Sequence, residues 1–445
     1  MLSASQRNES CSQQPREQIV DRTSGSAATC HSPTGRRTYF ALDLLRGLAA
    51  LSVVLYHANG MFWRTQLWDG GFPNAAGNVS WLCLVSQLLP GAGFLGVNLF
   101  FVLSGFCIHL PAANKTEPLN LPAFAVRRFF RLYPSYLAVV AGCFLMLGWS
   151  AGFGKPPVTW GNFLGHLVFW HYDPTAGGAG MGISPVLWTI ALEVQFYLLY
   201  AVSLRWLRRV GIGRCALLAL GAGLLYQCAW IATTHPTDWP AVLAPERFCL
   251  ARFGEWLLGA WMAELCVLPD FPQSWKWPRL GSRLSLGAFI VTSSALVVAG
   301  AGLPRLWLNL PAAVGFALIL LGVIEKELAR PRPASLSRIQ RLGQWLGERS
   351  YSLYLVHFTV MTAGISLFAR YRGQSKSLLV GSPALAGAIA GSVLLTFVVT
   401  ALCYRMLEAP SHRLARRLTQ AKIARPKTKD TIDPSLSASA SRANA

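Results

Sequence analysis

The chain contains ten apolar stretches, each about the length that a helix needs to cross a bilayer. They fall at roughly 39–59, 92–110, 132–152, 184–204, 213–233, 248–268, 284–303, 306–324, 351–369 and 383–404. A helix rising 1.5 Å per residue spans the hydrocarbon core in about 20 residues. Lipid offers no partner for backbone N–H and C=O groups, so such stretches must be helices unless they alternate like barrel strands, and these do not. The fold class expected is therefore all-α, a polytopic transmembrane helical bundle of about ten spans. One further apolar stretch, Gly161–Tyr172, is too short to cross and is expected to be re-entrant or interfacial.

Composition agrees. Charged residues make up 13% of the 445, and hydrophobic residues 53%. A soluble domain carries about 25% charge, so water-soluble classes are excluded for most of the chain. The formal net charge of +21 would suggest nucleic acid in a soluble protein. Its distribution argues otherwise. Of the 40 Lys and Arg, 31 fall in the tails and alternate loops that share one side under a ten-span topology, and 7 in the opposite loops. That asymmetry follows the positive-inside rule, with both termini cytoplasmic and membrane lipids rather than nucleic acid as surroundings. Residues 1–38 are polar and Ser-rich, and residues 412–445 basic and then Ser/Ala-rich. Both are expected to be disordered cytoplasmic tails around a domain at 39–411. The ten cysteines form no C-x-x-C pair and no zinc spacing, so no metal is expected.

Ionisable residues inside spans are costly and mark functional sites or ion pairs. Asp43, Arg46, Glu193, Arg252, Glu255 and Glu264 are such residues. Asp43–Arg46 and Arg252–Glu255 have the i,i+3 spacing of self-neutralising pairs. Glu193 has no basic neighbour within two turns. His57 follows Arg46 by eleven residues, close to three helical turns. The two share one face and stand about 16 Å apart along it. Thr189, Glu193 and Tyr197 form a polar stripe at i,i+4 spacing, and Ser350, Tyr354 and His357 share a second face. Either stripe can serve as interhelical hydrogen-bonding glue or as part of a site. The segment Arg127–Pro134 is a basic aromatic loop at the inner interface. It suits lipid headgroups or, through Arg127, Arg128 and Arg131, the phosphates of a cytoplasmic ligand.

In order and spacing these pieces resemble the membrane-bound acyltransferase-3 family of bacterial O-acyltransferases. The matching segments are Leu42–Ala50 with His57, an Arg-x10-His signature, then Gly96–Phe106 with Ser104, and Arg127–Pro134. They continue with Trp188–Tyr197, Ser350–His357, and Tyr404–Pro410 with Glu408. The resemblance covers about residues 38–415. It implies a bacterial inner-membrane enzyme that transfers an acyl group, commonly acetyl, from cytoplasmic acyl-CoA to a hydroxyl of a surface or exported glycan. It carries a catalytic Arg and His over to Arg46 and His57, and an arginine motif to Arg127, Arg128 and Arg131. The chain ends about 40 residues after its last span, which matches the stand-alone type. In this reading His57 is the general base, or alternatively the site of an acyl-His intermediate, and Glu193 orients its imidazole. Arg46 and the arginine cluster hold the acyl-CoA. Ser104, Thr189, Tyr197, Tyr354 and His357 support or contact substrate. A transporter or flippase of a small or lipid-linked glycan is the alternative, but no internal repeat is visible.

Overall fold

The computed structural model describes residues 39–63, 91–113, 115, 117–151, 159–170, 183–234, 244–269, 271, 280–300, 305–329, 335–373 and 382–423. The described residues are overwhelmingly helical and contain no strand. In chain order the helices are α1 (Phe40–Trp63), α2 (Gly96–His109), α3 (Leu121–Ala151), α4 (Trp160–Leu167), α5 (Trp188–Val210), α6 (Ile212–Thr234) and α7 (Cys249–Cys266). They continue with α8 (Leu280–Gly300), α9 (Asn309–Leu328), α10 (Arg338–Glu348), α11 (Ser350–Tyr371), α12 (Pro383–Cys403) and α13 (Ala409–Ile423). The protein is a polytopic helical membrane bundle. Eight of these elements are long and apolar enough to cross a membrane. The other two expected spans are also helices. One is α7, which carries Arg252, Glu255 and Glu264; the other is α8, whose apolar part runs only over Ser282–Val297.

Two expectations need correction. The Arg127–Pro134 cluster is not in a loop. It lies inside α3, a 31-residue helix that starts at Leu121 and holds Pro134 in its interior. A proline there removes one intrahelical hydrogen bond without ending the helix. The boundary at 411 also falls within helix. A single π-helical turn, Tyr404–Glu408, joins α12 to α13, so residues 412–423 of the expected tail are helical. The short stretch around Gly161, not expected to cross, forms the eight-residue α4, followed by Phe169 with φ of 58°. The tail at 1–38 and the remainder of the other tail lie outside the described residues.

Close helix approaches position the site. The main pairings are α2 with α7, α6 with α7, α8 with α9, α11 with α12, and α1 with both α10 and α11. Where α2 meets α7, a Cβ at Gly105 would stand 1.8 Å from the carbonyl oxygen of Trp256, and one at Gly259 would stand 1.9 Å from that of Val102. Only glycine permits this contact, the usual way for helices to pack tightly in lipid. At the start of α1 the Glu327 carboxylate accepts hydrogen bonds from the Phe40 and Ala41 amides at 2.7 and 2.9 Å. That satisfies two of the four free N–H groups and places a negative charge at the positive end of the helix. The helix that carries Arg46 and His57 is thus fixed at its first turn.

A histidine pair beside an arginine-lined cavity

A cavity of about 100 Å³, room for several waters, lies between α1, α2, α3, α5 and α11. Its wall includes Arg46, Ser104, Arg128, Arg131, Glu193 and Tyr354. The whole Thr189–Glu193–Tyr197 stripe of α5 lines it, as do Ser350 and Tyr354 of the α11 face. Arg127 does not line it, because its position on α3 turns it to another side of the helix.

The three cavity arginines are held differently. Arg46 stands 3.5 Å from Asp43 one turn earlier. Arg131 makes a 3.4 Å ion pair with Glu408, a fully buried carboxylate that also accepts a 2.6 Å hydrogen bond from Ser352. The same arginine nitrogen donates to Nε2 of His412 at 3.2 Å. The π-helical turn ends on Glu408 and passes into α13, which packs on α3 and supplies His412. Arg128 instead lies over the rings of Phe124 and Tyr197, each at 5.7 Å, and its buried Nε has no hydrogen-bond partner. Among the described residues no carboxylate lies within ion-pair distance of it. A guanidinium in that condition has capacity left for an anionic or carbonyl ligand.

Glu193 is the cavity's own acid. Its Oε1 accepts hydrogen bonds from Ser104 at 3.2 Å and from Tyr197. The Trp256 indole N–H in turn donates to Ser104 at 3.1 Å, so the Gly105 contact between α2 and α7 registers this chain. Both bonds go to Oε1 rather than Oε2.

His57 lies further along α1, outside the cavity wall. Its imidazole does not meet Glu193, whose hydrogen bonds go to Ser104 and Tyr197. It meets His357 of α11, with His57 Nδ1 and His357 Nε2 3.1 Å apart. His57 Nδ1 also faces the Val53 carbonyl at 2.9 Å, and His357 Nδ1 faces the Tyr354 carbonyl at 2.7 Å. His357 is fully buried. Tyr354 connects the two regions. Its ring lines the cavity and lies 5.6 Å from the ring of His357. Its hydroxyl donates to the Val186 carbonyl at 2.9 Å and accepts from Thr189 at 2.7 Å.

A second polar group lies behind the cavity. Arg252 and Glu255 form the expected pair, with contacts of 2.5 and 3.0 Å, and both are buried. Asn98, which the sequence reading passed over, donates to Glu255 at 3.1 Å and to Asn309 at 3.2 Å. Arg252 also lies over the Phe101 ring at 5.2 Å, so this group supports the cavity wall from outside.

A family model described as "Acyltransferase domain" matches residues 39–404, the stretch that contains every element of the cavity and the histidine pair. The chain belongs to this acyltransferase-3 family. It is a membrane acyltransferase. It is 25% identical to the acyltransferase MdmB of Streptomyces mycarofaciens over 73% of this chain and 82% of that protein. It is 26% identical to the peptidoglycan O-acetyltransferase OatA of Listeria monocytogenes over 83% of this chain, but spans only 55% of OatA. It is 25% identical to the putative membrane-bound transacylase BcsY of Komagataeibacter xylinus over 82% of this chain and 81% of that protein. No solved structure matches the acyltransferase.

Proposed function

We propose that this acyltransferase moves an acetyl group from acyl-CoA to a hydroxyl of a cell-surface or exported glycan. In this proposal it sits in the cytoplasmic membrane of a bacterium with both termini inside, as the distribution of basic residues favours. The observation that carries the reading is the adjacency, through Tyr354, of a cavity lined by three arginines and a histidine pair on α1 and α11. The glycan acceptor is supported by the name of OatA, a peptidoglycan O-acetyltransferase.

Arg128, without a carboxylate partner among the described residues, and Arg46 and Arg131, each braced by one, grip the phosphates or the amide carbonyls of the donor. Glu193 Oε2 accepts from a donor amide or an acceptor hydroxyl. His57 removes the proton of the attacking hydroxyl as its oxygen bonds to the acyl carbon. The carbon–sulfur bond breaks, and the imidazolium returns its proton to the leaving thiolate. The separation of Arg46 and His57 by three turns of one helix, about 16 Å, suits an extended donor gripped at one end and reacting at the other.

The test is His57→Ala and Arg46→Ala in the native host, with glycan acetylation read by mass spectrometry and protein levels by immunoblot. Loss of acetylation in both is expected. Full acetylation at normal protein level in either variant removes that residue from the mechanism.

A further inference from the structure

We infer that His357 is a positioning residue that fixes the tautomer of His57 and so aims its basic nitrogen at the acceptor. The inference rests on the reading of His57 as general base. A backbone carbonyl can only accept, so the contacts to the Tyr354 and Val53 carbonyls put a proton on Nδ1 of both imidazoles. Neutral His357 then has its lone pair on Nε2, the atom that faces His57 Nδ1 at 3.1 Å. The His57 Nδ1–H is shared between the Val53 carbonyl and His357. In this arrangement the lone pair of His57 is on Nε2, the nitrogen a base needs.

The arrangement also explains why the partner is an imidazole. A carboxylate orients the histidine of a hydrolase triad, but it brings a charge that must be buried. The surroundings here are apolar and aromatic. Tyr56 and Phe358 stand edge-on to His57, with ring centroids at 5.1 and 5.4 Å. A neutral acceptor supplies the same orientation at a lower desolvation cost. When His57 takes up a proton, the bond to His357 becomes charge-assisted and spreads the new charge. Glu193, held by Ser104 and Tyr197, remains with the cavity.

Two polar substitutions separate the contacts of His357. In His357→Gln the longer side chain still reaches His57 and can accept its Nδ1–H. In His357→Asn the amide keeps the bond to the Tyr354 carbonyl but is too short to reach His57. The assay is release of CoA from acetyl-CoA by the full chain in nanodiscs, with water standing in for the acceptor hydroxyl and His57→Ala as reference. His57→Ala is expected to be inactive. His357→Gln is expected to keep kcat within about threefold. His357→Asn is expected to lose roughly 10- to 100-fold in kcat, the worth of one hydrogen bond to a charged group, with KM for acetyl-CoA unchanged. Equal kcat in His357→Asn and wild type, with His57→Ala inactive, overturns the role of His357 alone. Activity in His57→Ala overturns the base assignment beneath it. Nitrogen-15 NMR of histidine-labelled protein reads the tautomer without turnover. A neutral His57 protonated on Nδ1 is expected, and a His57 protonated on Nε2 overturns the inference.

Discussion

Replacing Gly105 by alanine tests whether the α2–α7 contact holds the site together. The new Cβ would lie 1.8 Å from the Trp256 carbonyl oxygen, 2.8 Å from its carbon and 3.1 Å from the Ala260 nitrogen. All three are backbone atoms, so no side chain can swing away. Ordinary contact begins near 3.4 Å, and the helices must part by about 1.5 Å. A gap of 0.5–1 Å already forfeits about a quarter to a half of each dispersion contact. Overpacking of this kind costs roughly 1–3 kcal/mol, and backbone-to-backbone contact puts this case at about 3 or above. The same change at Gly142, with nothing within 4 Å, gains helix propensity of about 1 kcal/mol with no clash. Thermal unfolding in detergent, followed by size-exclusion fluorescence, is expected to show Gly105→Ala melting roughly 3 °C or more below wild type, and Gly142→Ala at or above it. Activity should fall in Gly105→Ala as well, because Ser104 and Trp256 lose register with Glu193. Equal melting of Gly105→Ala and Gly142→Ala would refute the reasoning.

Further outcomes follow from single contacts. Glu327→Ala removes the cap on α1 and is expected to lower stability by about 1 kcal/mol, read by the same melt. Tyr354→Phe removes the hydroxyl that donates to the Val186 carbonyl and accepts from Thr189; because Thr189 keeps its own 3.3 Å bond to Val186, the change should cost about 0.5–1.5 kcal/mol as well as lower kcat. Glu408→Gln removes the charge that braces Arg131. It is expected to raise KM for acetyl-CoA roughly tenfold with little change in kcat, measured as CoA release. Unchanged KM would detach Arg131 from donor binding.

Much of this structure is legible in the sequence because lipid restricts the choices. An apolar run of the right length has no option but helix, and each expected span coincides with one. The stripes are legible for the same reason: once α5 is a helix, Thr189, Glu193 and Tyr197 must share a face, and all three line the cavity. The basic cluster misleads because charge and proline resemble a loop, although α3 runs through both. The partner of His57 lies outside what spacing can reveal. His57 and His357 are separated by 300 residues, and helical periodicity fixes a face but not the neighbour it meets. Glu193 was expected to orient His57, but helical rise fixes only a position along one span, and the structure places Glu193 in the cavity wall with Arg46, Arg128 and Arg131, without His57.

The most direct measurement follows radiolabel from acetyl-CoA into the glycan fraction of membranes that contain either the wild-type chain or His57→Ala at matched protein levels. The account predicts labelled glycan with the wild type and none above background with His57→Ala. Label in the His57→Ala glycan, or none with active wild-type membranes, would contradict it.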